Sequence, residues 1–267
     1  MQQNFLNKII ENKLNEVAHA RQKVSEHHLS KQALQREEHR SFKKALISVN
    51  ASEVRIIAEI KRASPSKGLF RENLDTAEMV RHYETAGAVA ISVLTERTFF
   101  LGKNEDLKTA RRHTKLPVLR KDFIISEYQV FEAAAWGADA VLLIVRILTP
   151  EKLNTLLALC RELHMDALVE VYATQEIQIA TDAGADIIGM NNRNLETFQT
   201  DIQRAIRMAP SLKPHQIPVV ASGISCRKDI LRNTQAGLHN FLIGERLVLA
   251  DDPQQQIREL MGRCRDE

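Results

Sequence analysis

Apolar positions follow two rhythms along the chain. From about residue 4 to 47, Phe5, Leu6, Ile9, Ile10, Leu14 and Val17 recur at helical spacing in an otherwise polar stretch. No Gly or Pro interrupts residues 9–24, so the pattern predicts one long helix there and a second over about 30–47. From residue 54 the period changes. Short, β-branched apolar runs fall at 54–60, 89–94, 117–119, 140–145, 167–171, 186–190, 217–220 and 240–243, with helical patterns between them. Eight strands alternating with helices predict parallel pairing through right-handed crossovers. Near-continuous apolar runs are what strands buried on both faces look like.

A weak internal repeat supports the same reading. Ala86-Gly87, Trp136-Gly137, Ala183-Gly184 and Ala236-Gly237 each stand just before a strand, where Gly ends a helix in the left-handed conformation. The fold class expected is α/β, a (β/α)8 TIM barrel, with a helical extension before it. An open doubly wound sheet is the alternative, disfavoured because no Gly-rich dinucleotide fingerprint occurs. The expected organisation is a single domain over 1–267, with the extension at 1–50 and the barrel at 51–267.

Composition then narrows the function classes. The chain has 267 residues, enough to bury a self-sufficient core. A net charge of +3 without a basic stripe argues against nucleic acid. The longest strongly apolar run, 140–145, ends at Arg146 and is too short to span a membrane. Cys160, Cys226 and Cys264 are far apart, which fits a reducing compartment without a disulfide frame. The expected setting is the cytoplasm, since Lys8 and Glu11 stand where a signal peptide needs apolar residues. The nine histidines form no HxH or HExxH spacing, so no metal site is expected.

In such a barrel the chemistry belongs at the C-terminal ends of the strands. Glu59 and Lys61 flank Ile60, so both face the same side of the first strand, with Ala58 and Ile60 toward the helices. A charged pair aimed into a barrel is costly unless paired or used. Lys121 and Glu170 end the third and fifth strands. A partly desolvated Lys there can have a lowered pKa and act as an acid, and a Glu a raised one and act as a base. Ser222-Gly223 and Gly244 follow the seventh and eighth strands, where small residues let backbone amides approach a phosphate. Glu245, next to Gly244, is an awkward neighbour for an anion unless it points away. Asn191 and Arg193 end the sixth strand, the Arg fork suiting a carboxylate or phosphate.

The segment IIAEIKRASPSKG at 56–68 closely resembles the signature of the indole-3-glycerol phosphate synthase family. ISVLTE at 91–96, KDFI at 121–124 with EYQ at 127–129, and NNRNLET at 191–197 reinforce it, and the resemblance covers nearly the whole chain. It implies ring closure of 1-(2-carboxyphenylamino)-1-deoxyribulose 5-phosphate to indole-3-glycerol phosphate, with loss of CO2 and water, in tryptophan biosynthesis. It implies no cofactor, no metal, no obligate protein partner, and a small phosphorylated substrate as the only ligand. By resemblance Lys121 is the general acid of ring closure and Glu170 the base of dehydration. Glu59 and Lys61 assist, or are themselves the base and acid of dehydration. Lys61 and Ser64 hold anionic groups of the substrate, and Phe100 lines the anthranilate pocket. Asn191 and Arg193 orient the intermediate, and Ser222, Gly223, Gly244 and Glu245 bind phosphate through their backbone. The resemblance also implies that the extension packs over the barrel mouth.

Two departures stand out. The family usually has Glu-Ser-Gly where this chain has Ala221-Ser222-Gly223, and a small pair where it has Glu245-Arg246. One carboxylate fewer is expected to leave Lys61 or Lys121 less well paired, with a lowered pKa. The alternatives are another phosphosugar barrel enzyme and a phosphate-binding barrel with weakened catalysis. The Glu59–Lys61 pair together with Lys121 argues against the first.

Overall fold

A computed structural model describes residues 5–47, 50 and 52–263. Eight strands close into a parallel barrel in sequence order. They are β1 (Arg55–Ile60), β2 (Ala90–Leu94), β3 (Val118–Lys121), β4 (Ala140–Ile144), β5 (Asp166–Val171), β6 (Ile187–Asn191), β7 (Ile217–Ala221) and β8 (Asn240–Ile243). Every predicted strand is present within two residues of its expected ends. Gly87, Gly137, Gly184 and Gly237 all carry positive φ, as their helix-ending role requires. A short hairpin, Ala63–Ser64 against Gly68–Leu69, follows β1 and was not expected from the pattern. No helix among the described residues is long and apolar enough to cross a membrane.

Alternation along each strand divides the barrel into two cores. Ile56, Ala58, Ile60, Ile91, Val93, Val141 and Leu143 point outward into the layer under the helices. Ile57, Ala90, Leu119, Leu142, Leu168, Val219 and Leu242 point inward and fill the lumen. The outward layer is covered by α4 (Thr76–Thr85), α5 (Asn104–His113), α6 (Glu127–Ala135), α7 (Pro150–Glu162), α8 (Thr174–Asp182), α9 (Arg204–Met208), α10 (Arg227–Thr234), α11 (Glu245–Val248) and α12 (Pro253–Met261). These are numbered after three helices of the extension, α1 (Phe5–Lys23), α2 (Glu26–Leu34) and α3 (Phe42–Ala45).

The extension packs over the barrel mouth as expected, and it also reaches further. Phe5, Leu6 and Ile9 of α1 join Phe99, Phe100, Phe123 and Leu195 at the C-terminal end of the barrel. Then α2 runs against α6, and α3 reaches the opposite end, where Phe42 and Leu46 are fully buried. There the Lys43 amide donates to Asp166 (2.8 Å), and its ammonium donates to Asp186 (2.6 Å). The extension therefore caps both ends of the barrel.

The helix expected over 30–47 is broken, because residues 35–41 leave helical geometry. Tertiary contacts outweigh propensity here. The guanidinium of Arg36 is committed to Asp139, and that of Arg40 donates to the carbonyl oxygens of Thr114 (2.6 Å) and Leu116 (3.1 Å). The same network draws in Arg111, which pairs with Asp139. The junction expected at 50/51 falls beside residues 48, 49 and 51, outside the described residues, as does Cys264.

Candidate active site

A cavity of about 750 Å³ opens at the C-terminal ends of the strands. Every residue singled out from the sequence lines it: Glu59, Lys61, Ser64, Phe100, Lys121, Glu170, Asn191, Arg193, Ser222, Gly223, Gly244 and Glu245. Its size suits a small ligand.

Strand register puts the charged groups within reach of one another. Glu59 and Lys61 do face the lumen side together. The Glu59 carboxylate lies 3.1 Å from Lys61 Nζ through one oxygen and 3.5 Å from Lys121 Nζ through the other. That second oxygen is buried and has no hydrogen-bond partner. A side chain on residue 244 would collide with the Glu59 carboxylate, so Gly244 serves first to make room for this group. Burial pushes the Glu59 carboxyl up, but Lys61 and then Lys121 outweigh it and hold the pKa below the ordinary carboxylate range.

Lys121 departs from its expected titration. Burial pulls its ammonium down, yet Glu59 and then Glu170 win, and the pKa stands above the usual lysine value. It therefore stays charged beside the cavity. The loss of the usual carboxylate at Ala221 has not left Lys61 or Lys121 without a partner, since Glu59 serves both. Ala221 itself is buried, in register with Asn191 and Leu242.

Glu170 behaves as expected. Burial raises its pKa above the usual value, against the opposing pull of Lys121 and a 3.0 Å hydrogen bond from Asn191 Nδ2. The Asn191 Oδ1 accepts from the Arg193 amide (2.9 Å), so one side chain holds both Glu170 and the turn that carries Arg193. From there Arg193 reaches Ser66 Oγ (3.0 Å) and Glu245 (3.5 Å).

Beside the Glu59 carboxylate, the β7–α10 turn and the start of α11 form a floor of backbone amides. Ser222 and Gly223 adopt φ of +68° and +81°. The left-handed conformation is costly for Ser. The Ser222 carbonyl is held by a 3.1 Å hydrogen bond from Asn192 Nδ2. No backbone hydrogen bond among the described residues claims the amides of Gly223 and Ile224. The first amides of α11 have no partner within their own helix. Such amides suit a phosphate.

Several residues escaped sequence reasoning. Glu96 is buried, and its carboxylate accepts from the amides of Thr98, Phe99 and Phe100 at 2.7–3.0 Å, which fixes the loop presenting Phe100. Phe100 lies 6.2 Å from Phe123 across the apolar wall. Above it, Phe5 of α1 packs edge-on against Phe99 and Phe198 at 4.9 Å each. Lys13 of α1 is 2% exposed and pairs with Asp122 at 2.9 Å. Its signal was present, since Leu6, Ile9 and Lys13 form one helical stripe, but Leu14 was read as the inward residue and is 56% exposed. Asn192 and Lys67 lay inside the quoted motifs without a role.

Residues 6–260 match a protein family described as indole-3-glycerol phosphate synthase. The protein of that name from Syntrophobacter fumaroxidans is 49% identical over 258 residues, covering 97% of each chain. The one from Desulfosudis oleivorans is 50% identical over 258 residues, 96% of this chain and 98% of its own. Among solved structures, 3-hexulose-6-phosphate synthase from Salmonella typhimurium superposes with a TM-score of 0.63 at 16% identity, over 78% of this chain and 97% of that one. That similarity reflects the barrel alone.

Proposed function

The chain belongs to the indole-3-glycerol phosphate synthase family, and from that premise we propose how its side chains divide the work. The activity is the decarboxylating, dehydrating ring closure of 1-(2-carboxyphenylamino)-1-deoxyribulose 5-phosphate to indole-3-glycerol phosphate, in tryptophan biosynthesis. The observation that carries the residue roles is the single buried carboxylate of Glu59 flanked by two lysines, beside Glu170, in one cavity.

Lys121 donates a proton to the substrate carbonyl oxygen as the aromatic ring carbon attacks the carbonyl carbon. Its charged state, held by Glu59 and Glu170, supports this role. Loss of CO2 then restores the aromatic ring. Glu170, raised by burial, takes the proton removed in dehydration, while a lysine protonates the departing hydroxyl. Lys61 and Glu59 are the second pair able to serve that step. Lys61 and Ser64 hold anionic groups of the substrate, and Asn191 and Arg193 orient the intermediate. The apolar wall with Phe100, Phe123, Leu142 and Ile144 receives the aromatic ring. The amides around Ser222, Gly223, Gly244 and Glu245 receive the phosphate.

The extension and barrel act as one domain in this reading, supported by the anchoring of α1–α3 at both barrel ends. A cytoplasmic setting is supported by the family's place in amino-acid biosynthesis. The test is a fluorescence assay for the indole product with purified protein. The parent turns over the substrate, and Lys121→Ala loses about a thousandfold in kcat with folding intact. Full activity in Lys121→Ala removes it as the acid.

A further inference from the structure

The phosphate end of the cavity holds a carboxylate that the proton transfers do not use. Glu245 opens α11, directly after Gly244. One of its oxygens accepts from Lys67 Nζ, and the other lies 3.5 Å from Arg193 Nη2. Lys67 belongs to the turn of the hairpin after β1, and Arg193 follows β6 and also donates to Ser66 of that hairpin. One side chain thus ties together the loops after β1, β6 and β8. The other cavity carboxylates are committed elsewhere, Glu59 to the two lysines, Glu170 to Asn191 and Asp122 to Lys13 and Arg120. The Arg193 fork is incompletely used, because its Nε is buried without a hydrogen-bond partner.

We propose that the Glu245 carboxylate is an internal stand-in for the phosphate of the substrate, holding Lys67 and Arg193 until a phosphorylated ligand displaces it. The proposal rests on the reading of the β7–α10 turn and the start of α11 as the phosphate floor. A carboxylate brings one negative charge and two oxygens to these cations. A phosphate monoester brings nearly two charges and three acceptor oxygens, and it also satisfies the backbone amides that a side chain rooted on α11 leaves open. The exchange therefore favours phosphate. Displacing Glu245 weakens the net affinity for any phosphorylated ligand, including the product, which keeps the same phosphate. At about one-quarter exposed, the Glu245 side chain has room to swing away.

The proposal fixes the sign of an effect that a structural brace reverses. Inorganic phosphate serves as competitor in the indole-fluorescence assay, on the parent, Glu245→Gln, Glu245→Asp and Lys67→Gln. With the stand-in weakened, Glu245→Gln should be inhibited by phosphate about five- to tenfold more tightly, and the substrate KM should fall. Glu245→Asp, too short to span both cations, should follow in the same direction. Lys67→Gln should bind phosphate more weakly than the parent. If Glu245 only braces the loops, its loss lets Lys67 and Arg193 drift, and both KM and the inhibition constant rise. Phosphate that competes in the parent, with affinity unchanged or weakened in both Glu245 variants, overturns the proposal and leaves the phosphate floor standing. Phosphate that competes in none of these proteins overturns both.

Discussion

Two buried ion-pair clusters stand back to back at the end of β3, one on Lys121 toward the cavity, the other on Asp122 toward α1. Both rest on lysine–carboxylate contacts out of water. In the outer cluster every oxygen of Asp122 is used. It accepts from Thr95 Oγ1 (2.7 Å), Arg120 Nη2 (3.1 Å) and its neighbour's amide (2.8 Å), and it pairs with Lys13 (2.9 Å). Burial pushes its carboxyl up, but Lys13 and Arg120 drive it far below the usual range. In the inner cluster the contacts are sparse. One oxygen of Glu59 has no hydrogen bond, and Glu170 sits above the normal carboxylate value because burial prevails. At similar burial, saturation makes a fastening and under-satisfaction makes a reactive site. The saturated cluster secures α1, whose Phe5 and Ile9 roof the unsaturated one.

The largest effects come from breaking one cluster at a time. Lys121→Ala should cost about three orders of magnitude in kcat, with a melting temperature unchanged or raised, because Lys61 still covers Glu59. Lys13→Ala should reverse the pattern. It takes one of the two cations from buried Asp122, leaving Oδ1 only the Phe123 amide while Arg120 stays on Oδ2, and should cost about 3 kcal/mol of stability, or about 10 °C in Tm. Lys13→Met, with similar volume but no charge, should also destabilise, while the double variant Lys13→Met/Asp122→Asn recovers most of the loss. Equal melting temperatures for Lys121→Ala and Lys13→Ala would erase the distinction.

A smaller effect distinguishes the clusters by acid. Asp122 titrates below its unfolded value near 3.8, so its stabilisation is complete above that pH and drains away as pH falls further. Glu170 titrates above its unfolded value near 4.5, so protonation favours the folded state, and its cost is relieved as pH falls from neutral toward 4.5. Thermal melts of parent, Asp122→Asn and Glu170→Gln from pH 7 to 3 should show opposite slopes. The parent's advantage over Asp122→Asn should hold to about pH 4 and then shrink. Relative to Glu170→Gln, the parent should gain between pH 7 and 4.5. Parallel curves would mean that the two carboxylates have equivalent surroundings.

The same contrast explains what the sequence made legible. Strand positions and the lumen-facing alternation follow from period-two burial, which is a local signal, and so Glu59, Lys61, Lys121 and Glu170 were found from their place at strand ends. Lys13 was missed because its neighbour on the apolar stripe is legible only once Asp122 is seen across 109 positions of chain. The break at residues 35–41 was missed for a like reason, since Arg36 and Arg40 leave helical geometry for partners at 114–139. The shift of Lys121 was expected downward because desolvation can be guessed from an apolar run. The opposing carboxylates depend on which side chains a closed barrel brings together.

The finest test adjusts a single hydrogen bond in each cluster. Asn191 Nδ2 donates to Glu170 and so favours its ionised form. Removing that donor in Asn191→Leu leaves burial and Lys121 in place, so the Glu170 pKa should climb further. If Glu170 is the base, it must be ionised in the free enzyme, and the acid limb of kcat/KM should move to higher pH by about one unit, the worth of one charge-assisted hydrogen bond. Thr95→Val removes a comparable donor from Asp122. There Lys13, Arg120 and the Phe123 amide remain, and Asp122 is outside the proposed proton transfers, so the same limb should stay where it is. A limb that shifts in Thr95→Val and not in Asn191→Leu would assign the base to the other face of β3, because only a group in the proton path can carry its hydrogen bond into a rate profile.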